Sequence, residues 1–200
     1  MGKAETNKQI KRESLLNTAF DLFTTKGINN TSIADIVEAA GVAKGTFYLY
    51  FKDKYDINSK LLVHRTTLLF DSALERMHQK GLTDVKDKIF FVVDDIIDSL
   101  TKDKVLLMFI SKNLGLGFSR YMMESPAVTG EEPYKEATKE FLEDIGNTIK
   151  DPRLMMYMII ELTGSSIYSA ILYSQPVPID DFKPHLYAAI GSIIDQFKKS

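Results

Sequence analysis

Apolar residues recur with a helical period along most of the chain. The stripe occurs twice in the first 57 residues: Leu16, Ala19, Phe20 and Phe23, then Ile33, Ile36, Val37 and Ala40. Spacing of i, i+3, i+4, i+7 places apolar side chains on one face of an α-helix. Gly27 and Gly41 follow the two stripes and predict where these helices end. Thr31 is predicted as the N-cap of the second helix.

Two further helices are predicted after the tight turn at Gly41. The third is short, from about Ala43 to Phe51, and its face formed by Ala43, Phe47 and Phe51 should pack on the first two helices. Asp53 is predicted to cap a fourth helix that ends near Gly81. At 1.5 Å per residue this helix is roughly 40 Å long. It is too long to serve the N-terminal unit alone, so we expect it to link two bodies.

The remaining pattern is also helical. Helices are predicted at about 83–101, 105–110, 136–149, 153–173 and 181–198, with irregular structure at 113–133 because glycine and proline interrupt that stretch. No strand-like alternation and no repeat occur. The sequence therefore predicts an all-α fold, with an N-terminal unit at 8–57 and a C-terminal helical domain at 58–200.

Composition narrows the class of protein. The chain has 200 residues, no cysteine and a net charge of −2, with residues 1–54 carrying +2 and the rest −4. The absence of cysteine excludes disulfides and thiol catalysis. The polar N-terminus lacks a signal-peptide pattern, and no apolar run reaches the ~18 residues of a membrane helix. We expect a cytoplasmic protein with no membrane partner.

Motifs for catalysis are weak. Glu75 and His78 form a single Glu-x-x-His pair, whereas a di-iron bundle site needs two such pairs and two further glutamates. The glycines at 115 and 117 lack the third glycine of a dinucleotide fingerprint, and no phosphate-binding loop or nucleophile elbow occurs. We therefore expect no enzyme activity, no metal site and no cofactor.

The spacing of the second and third helices is that of a helix-turn-helix, whose second helix enters the DNA major groove. Lys44, Gly45, Thr46 and Tyr48 are predicted to face away from the core, with Tyr50 at its border. Lysine donates to guanine or phosphate, hydroxyls bind phosphate, and the glycine permits close approach. The alternative is that the tyrosines form only the rim of the core.

Three segments strengthen the DNA-binding interpretation: TSIADI at 31–36, AAGVAKGTFY at 39–48 and YFKDK at 50–54. Together they resemble the N-terminal signature of the tetracycline-repressor (TetR) family over about residues 10–57. The resemblance implies an all-α dimer that binds an operator in double-stranded DNA and carries a C-terminal effector-binding and dimerisation domain. The DNA contacts that it implies are Thr31, Lys44, Thr46, Tyr48, Tyr50 and Lys54. Leu49 and Ala43 depart from the pattern and offer no hydroxyl to a phosphate.

The C-terminal domain offers only candidates. Small residues on the last two helices suggest a dimer interface, or internal packing: Ser165, Ser166, Ser169, Ala188, Ala189, Gly191 and Ser192. Methionine and aromatic residues, with one glutamate, suggest an apolar or aromatic effector site, or plain core: Met108, Phe109, Phe118, Tyr121, Met122, Tyr157, Met158 and Glu161. The expected function is a dimeric repressor released from a palindromic operator by a small molecule. The alternatives are a DNA-binding activator, or a protein-interaction module that does not use the motif.

Overall fold

The structure, a computed structural model, describes residues 3–110 and 136–199. Within those ranges the regular elements are helices: α1 Lys3–Thr25, α2 Ile33–Ala39, α3 Lys44–Tyr48, α4 Lys54–His78, α5 Val85–Lys102, α6 Lys104–Ile110, α7 Glu136–Gly146, α8 Pro152–Tyr173 and α9 Ile179–Phe197. The all-α prediction is confirmed. The chain divides into two compact units, residues 1–64 and 65–200, so the division falls within α4 and seven residues after the predicted one.

Unit 1 is held together by a small core at the junction of its helices. The stripe of α1 and the buried side of α2 meet the two phenylalanines that follow the turn, and the first turns of α4 close the core. The fully or almost fully buried members are Leu15, Leu16, Ala19, Ile36, Phe47, Phe51, Ile57 and Leu61. Burial of a large apolar side chain contributes about 1.5–3 kcal/mol, so this cluster is the main source of stability for helices as short as α2 and α3.

The cap of α2 differs from the prediction. Ser32, not Thr31, is the N-cap: its hydroxyl accepts a hydrogen bond from the Asp35 backbone N–H at 3.1 Å, and the Asp35 carboxylate accepts from the Ser32 N–H at 2.8 Å. This reciprocal pair is a capping box. The sequence contained the signal, since Ser32 precedes an acidic residue by three positions.

The corner between α3 and α4 is fixed by two aspartates. Asp53 Oδ1 accepts hydrogen bonds from the backbone N–H groups of Tyr55 and Asp56, which confirms it as the cap of α4. The Asp56 carboxylate accepts from the Lys52 N–H at 2.8 Å and from the Lys60 ammonium at 3.2 Å. These bonds satisfy backbone donors that a helix start leaves without partners.

Unit 2 packs around α8, which contacts α5, α6, α7 and α9. Asp151 caps α8, with its carboxylate accepting from the Leu154 N–H at 3.1 Å. By length and composition α8 could cross a membrane, yet half of its most apolar window is buried within unit 2. Such burial is typical of the core helix of a globular domain.

Ion pairs on the surface of unit 2 join α5 to its neighbours. The Lys183 ammonium of α9 lies 2.7 Å from Asp94 and 2.8 Å from Asp98. The Tyr187 hydroxyl donates to Asp94 as well, and burial followed by this hydrogen bond raises the pKa of Tyr187. Lys88 of α5 pairs with Asp144 of α7 at 2.6 Å. Each exposed pair adds little on its own, but together they fix the register of α5 against α7 and α9.

Candidate nucleic-acid interface

The short helix α3 is anchored by two phenylalanines. Phe47 and Phe51 are buried, and their ring centroids lie 5.5 Å apart. The backbone N–H groups of Tyr50 and Phe51 both donate to the Phe47 carbonyl at 3.0 Å, so helical bonding continues beyond the last residue of α3. Ala43, which was predicted to pack on this face, is instead the exposed N-cap residue of α3. The anchor therefore consists of the two phenylalanines alone.

The opposite side of α3 faces solvent. Lys44 and Gly45 are exposed, Thr46 and Tyr50 are half-buried, and 53% of Tyr48 is accessible. We call Lys44, Gly45, Thr46 and Tyr48 the outward face of α3. It carries one cation and two hydroxyls on a scaffold fixed from behind, which suits contacts to phosphates and base edges.

Gly45 is not required by packing against the described part of the chain. A Cβ atom built at this position meets no heavy atom within 4 Å, and the backbone φ is not in the left-handed region. A glycine in a helix costs up to about 1 kcal/mol relative to alanine. The missing side chain leaves room for a partner to approach the backbone of α3 closely.

The turn between α2 and α3 is set by its backbone. Gly41 has φ +64°, and the Val42 N–H donates to the Val37 carbonyl at 3.0 Å. A non-glycine residue at position 41 would be strained. The turn thereby fixes the angle at which α3 leaves α2.

The stability of the capped start of α2 depends on pH through the Asp35 carboxyl. The backbone hydrogen bond from Ser32, and then the Ser32 side chain, lower the pKa of the Asp35 carboxyl. A carboxyl whose pKa is lower in the folded than in the unfolded chain stabilises the fold at pH values above its unfolded pKa of about 3.9. That contribution is lost as the pH falls through the folded-state pKa. The cap is therefore intact at neutral pH.

Thr31 does not belong to the outward surface. Only 1% of it is accessible, and its hydroxyl donates to the Gly27 carbonyl at 2.9 Å. The expectation that it holds a phosphate is not supported, because the donor is already used inside the turn. The exposed hydroxyl residue at this point of the chain is Ser32, whose oxygen caps α2.

Lys54 is also engaged within the chain. Its ammonium donates to three backbone carbonyls of the connection between α1 and α2, those of Ile28, Asn29 and Thr31, at 2.9, 3.2 and 3.3 Å. The predicted position at the start of α4 is correct, but the side chain points to this connection.

Leu49 lies directly after the outward face. It is 76% accessible and the most exposed of the large apolar side chains in the described ranges. Tyr48 beside it stands edge-on to the Phe47 ring, with centroids 5.5 Å apart. The surface next to α3 is thus part polar and part apolar.

Comparison with known proteins identifies the family. The family model described as "Bacterial regulatory proteins, tetR family" matches residues 15–59, the segment that contains α1 from Leu15, α2, α3 and the start of α4. This segment of the chain is an N-terminal domain of the tetR family. The resemblance noted in the sequence is thereby confirmed.

Individual relatives agree with this TetR-family assignment. The HTH-type transcriptional regulator YvdT of Bacillus subtilis is 33% identical over 101 residues, which cover 50% of this chain and 51% of YvdT. The chain spans about half the length, or less, of the curated relatives it matches.

Solved structures of TetR family regulators are similar to this chain in fold. A TetR family transcription regulator of Marinobacter aquaeolei VT8 has a TM-score of 0.58 at 15% identity and covers 98% of this chain and 100% of its own. Thermus thermophilus FadR, a TetR family repressor solved in complex with lauroyl-CoA, has a TM-score of 0.58 at 18% identity. The match covers 90% of this chain and 92% of the FadR chain. At these identities the likeness concerns the fold alone.

The small residues predicted for a dimer interface are mostly exposed. Ser165, Ser169, Ala188, Ala189 and Ser192 are exposed on α8 and α9, and Ser166 is half-buried. Gly191 is the exception. It is buried, and a Cβ built there would lie 3.7 Å from the Phe90 ring of α5, so its small size serves packing within one chain.

The described residues among those predicted for an effector site lie on α6 and α8. Phe118, Tyr121 and Met122 lie outside the described residues. Met108 is 54% accessible, Phe109 and Glu161 are half-buried, and Tyr157 and Met158 are exposed on α8. The exposure of Met108, Tyr157 and Met158 does not favour an enclosed site within one chain. For the two residues of α8, periodicity could not have shown this, because it does not separate the inner and outer faces of a helix that is apolar on all sides.

Two small voids lie instead on the inner side of α8. Each holds about 10 Å³, the space of one water molecule, and both are lined by Phe70, Val92 and Met156. Their walls are almost entirely apolar, with Thr138 and Thr163 as the polar members. These lining residues come from four separate helices, α4, α5, α7 and α8, so the sequence pattern could not group them.

Proposed function

We propose that the chain is a dimeric, cytoplasmic transcriptional repressor that binds a palindromic DNA operator through α3 and is released from it by a small apolar or aromatic effector. The outward face of α3 carries this proposal. Lys44 and Tyr48 are exposed, Thr46 is half-buried, the helix is anchored from behind, and a side chain at Gly45 would meet no described atom of the chain.

Each side chain has a distinct role in the proposed complex. Lys44, at the first turn of α3, donates to a base edge in the major groove, and Thr46 lies two positions further along the same helix. Gly45 lets the backbone approach the DNA. Tyr48 and Tyr50 extend toward phosphates, which fix the register of the protein but carry no sequence information.

A dimer explains how a chain of net charge −2 binds DNA. Two copies of unit 1 would present two outward faces, and a two-fold axis would place them about 34–36 Å apart on one side of a duplex. The supporting surface is the exposed side of α8. Leu154, Tyr157, Met158 and Tyr173 are all exposed there, beside Ser165 and Ser169. Exposed apolar side chains that cluster on one helix are typical of an interaction surface.

Effector binding is assigned to the inside of unit 2. The voids beside Met156 are apolar, and methionine adapts its shape to different ligands. Their present size admits only one water, so an effector must open this region. An effector releases DNA only if it binds the DNA-free form better, and the coupling is reciprocal.

Lys44→Ala tests the DNA contact. We expect operator affinity to fall by about 1–3 kcal/mol, as for loss of a base contact, while the thermal unfolding midpoint and the dimer mass stay unchanged. The operator is first selected from random duplexes, and affinity is then measured by fluorescence anisotropy. Lys102→Ala removes one exposed charge from unit 2 and should bind normally. Wild-type affinity of the Lys44 variant, or failure of the wild-type chain to select any sequence, would favour an interaction module instead.

Gly45→Ala separates the needs of folding from those of DNA binding. We expect the free energy of unfolding to rise or stay level, because the new methyl group meets no atom and alanine favours a helix by up to about 1 kcal/mol. Operator affinity should fall at least about tenfold, or 1.4 kcal/mol, because the methyl group lies between backbone and DNA. Denaturant titration and anisotropy on the same sample give both quantities. Unchanged DNA affinity would show that no close approach occurs at this position.

Ser169→Arg tests the dimer surface. Sedimentation velocity of the wild-type protein at micromolar concentration should give twice the chain mass of 22.6 kDa, and the variant should shift toward one chain mass because an arginine would be buried without a partner. Asn147→Arg adds the same side chain at another exposed position of unit 2 and should leave the mass unchanged. A wild-type monomer would contradict the dimer.

Lauroyl-CoA and free laurate are suitable probes for the effector site, since the Thermus relative was solved with the former. A probe that binds should raise the unfolding midpoint. It should also weaken operator binding, and the operator should weaken probe binding by the same factor. Met156→Trp should block this response by filling the voids, and Met108→Trp, at an exposed site, should preserve it. Probe binding that leaves operator affinity unchanged would argue against release by this route.

A further inference from the structure

We propose that Lys54 is a positioning residue, which holds the connection between α1 and α2 in place for the reading helix and makes no phosphate contact of its own. The role in DNA binding rests on the proposed function above. The clamp itself, between Lys54 and the carbonyls of Ile28, Asn29 and Thr31, is a property of the DNA-free chain.

The donors of Lys54 are fully used. An ammonium group has three N–H donors and no acceptor, and three carbonyl oxygens lie within 3.3 Å of this one. The acceptors come from a single short stretch, 23 to 26 residues away in the chain. A half-buried lysine with three such partners is held in one position.

The surroundings also disfavour a phosphate. For a phosphate oxygen to bind the ammonium, at least one carbonyl would have to give up its hydrogen bond, and a part-buried carbonyl left without a partner is costly. The remaining carbonyl oxygens would then face the phosphate with partial charges of the same sign. The same ammonium is better suited to neutralise the carbonyls than to serve as an external anion site.

The clamped stretch leads directly to the reading helix. Gly27 reverses the chain with φ +80°, the Thr31 hydroxyl fastens the turn to the Gly27 carbonyl, and Ser32 then caps α2. From α2 the glycine turn leads into α3. Lys54, the first residue of α4, therefore ties both ends of the segment that carries α2 and α3, and its loss should misplace α3 without unfolding it.

Three variants of the full chain test this inference: Lys54→Met, Lys54→Arg and Lys52→Met. The methionine keeps the aliphatic stem but removes the charge and the donors, and the arginine restores both. Lys52 is an exposed lysine two residues earlier and controls for loss of charge in the unfolding measurement. Thermal unfolding without DNA, and the salt dependence of affinity for the selected duplex, are measured for each variant at temperatures where it is folded.

We expect Lys54→Met to lower the unfolding midpoint by about 3 °C or more and Lys52→Met to leave it unchanged. The folded Lys54→Met protein should bind the duplex about tenfold more weakly, with the slope of log affinity against log salt unchanged. Lys54→Arg should recover part of both losses. The unchanged slope is decisive, because a lost phosphate contact lowers its magnitude by about 0.9.

Two results would overturn the inference. A lower salt slope with an unchanged unfolding midpoint would make Lys54 a direct phosphate contact. A lower midpoint with unchanged affinity of the folded variant would make the clamp purely structural. If the wild-type chain selects no duplex, the proposed function fails together with the positioning role, while unfolding without DNA still decides whether the clamp stabilises the turn.

Discussion

Burial of Phe47 and Phe51 is the interaction on which unit 1 depends. A helix of five residues is not stable alone, since its nucleation costs more than its few hydrogen bonds return. The two rings bring α3 into the core formed by α1, α2 and the first turns of α4. Because the anchor lies entirely on one side, the opposite side remains free to carry Lys44, Gly45 and Thr46 without a structural duty. Anchoring and exposure are thus two results of one packing arrangement.

The connections around this core are made rigid by short-range bonds to the backbone. The capping box of Ser32 and Asp35, the double cap at Asp53 and the three carbonyls at Lys54 each satisfy groups that helix ends leave open. Unit 2 uses a different means, with long apolar helices around α8 and ion pairs at the rim. The contrast fits the proposed functions, in which unit 1 presents one surface to DNA and unit 2 opens to admit an effector.

The sequence predicted the helices of unit 1 and the outward face of α3 because both depend on local signals: apolar period, turn glycines and caps. It failed where contacts join distant backbone atoms. The backbone carbonyls that accept hydrogen bonds from Lys54 cannot be read from the pattern of side chains. Thr31 and Ser32 both carry a hydroxyl, and only the backbone conformation determines which of them caps α2. In unit 2, Tyr157 and Met158 could not be distinguished from Met156, because α8 is apolar on every side and only its neighbours determine which face is covered.

The exposed Leu49 has a thermodynamic consequence. Contacts to phosphates release counterions and weaken steeply as salt rises, whereas an apolar side chain that loses water on contact with a sugar or a thymine methyl does not. In the proposed complex, a surface that places Leu49 beside Tyr48 would join a salt-sensitive component of affinity to one that salt leaves almost unchanged. The apolar component has its own signature, a negative heat capacity of association, so temperature and ionic strength would act on different parts of the same small surface.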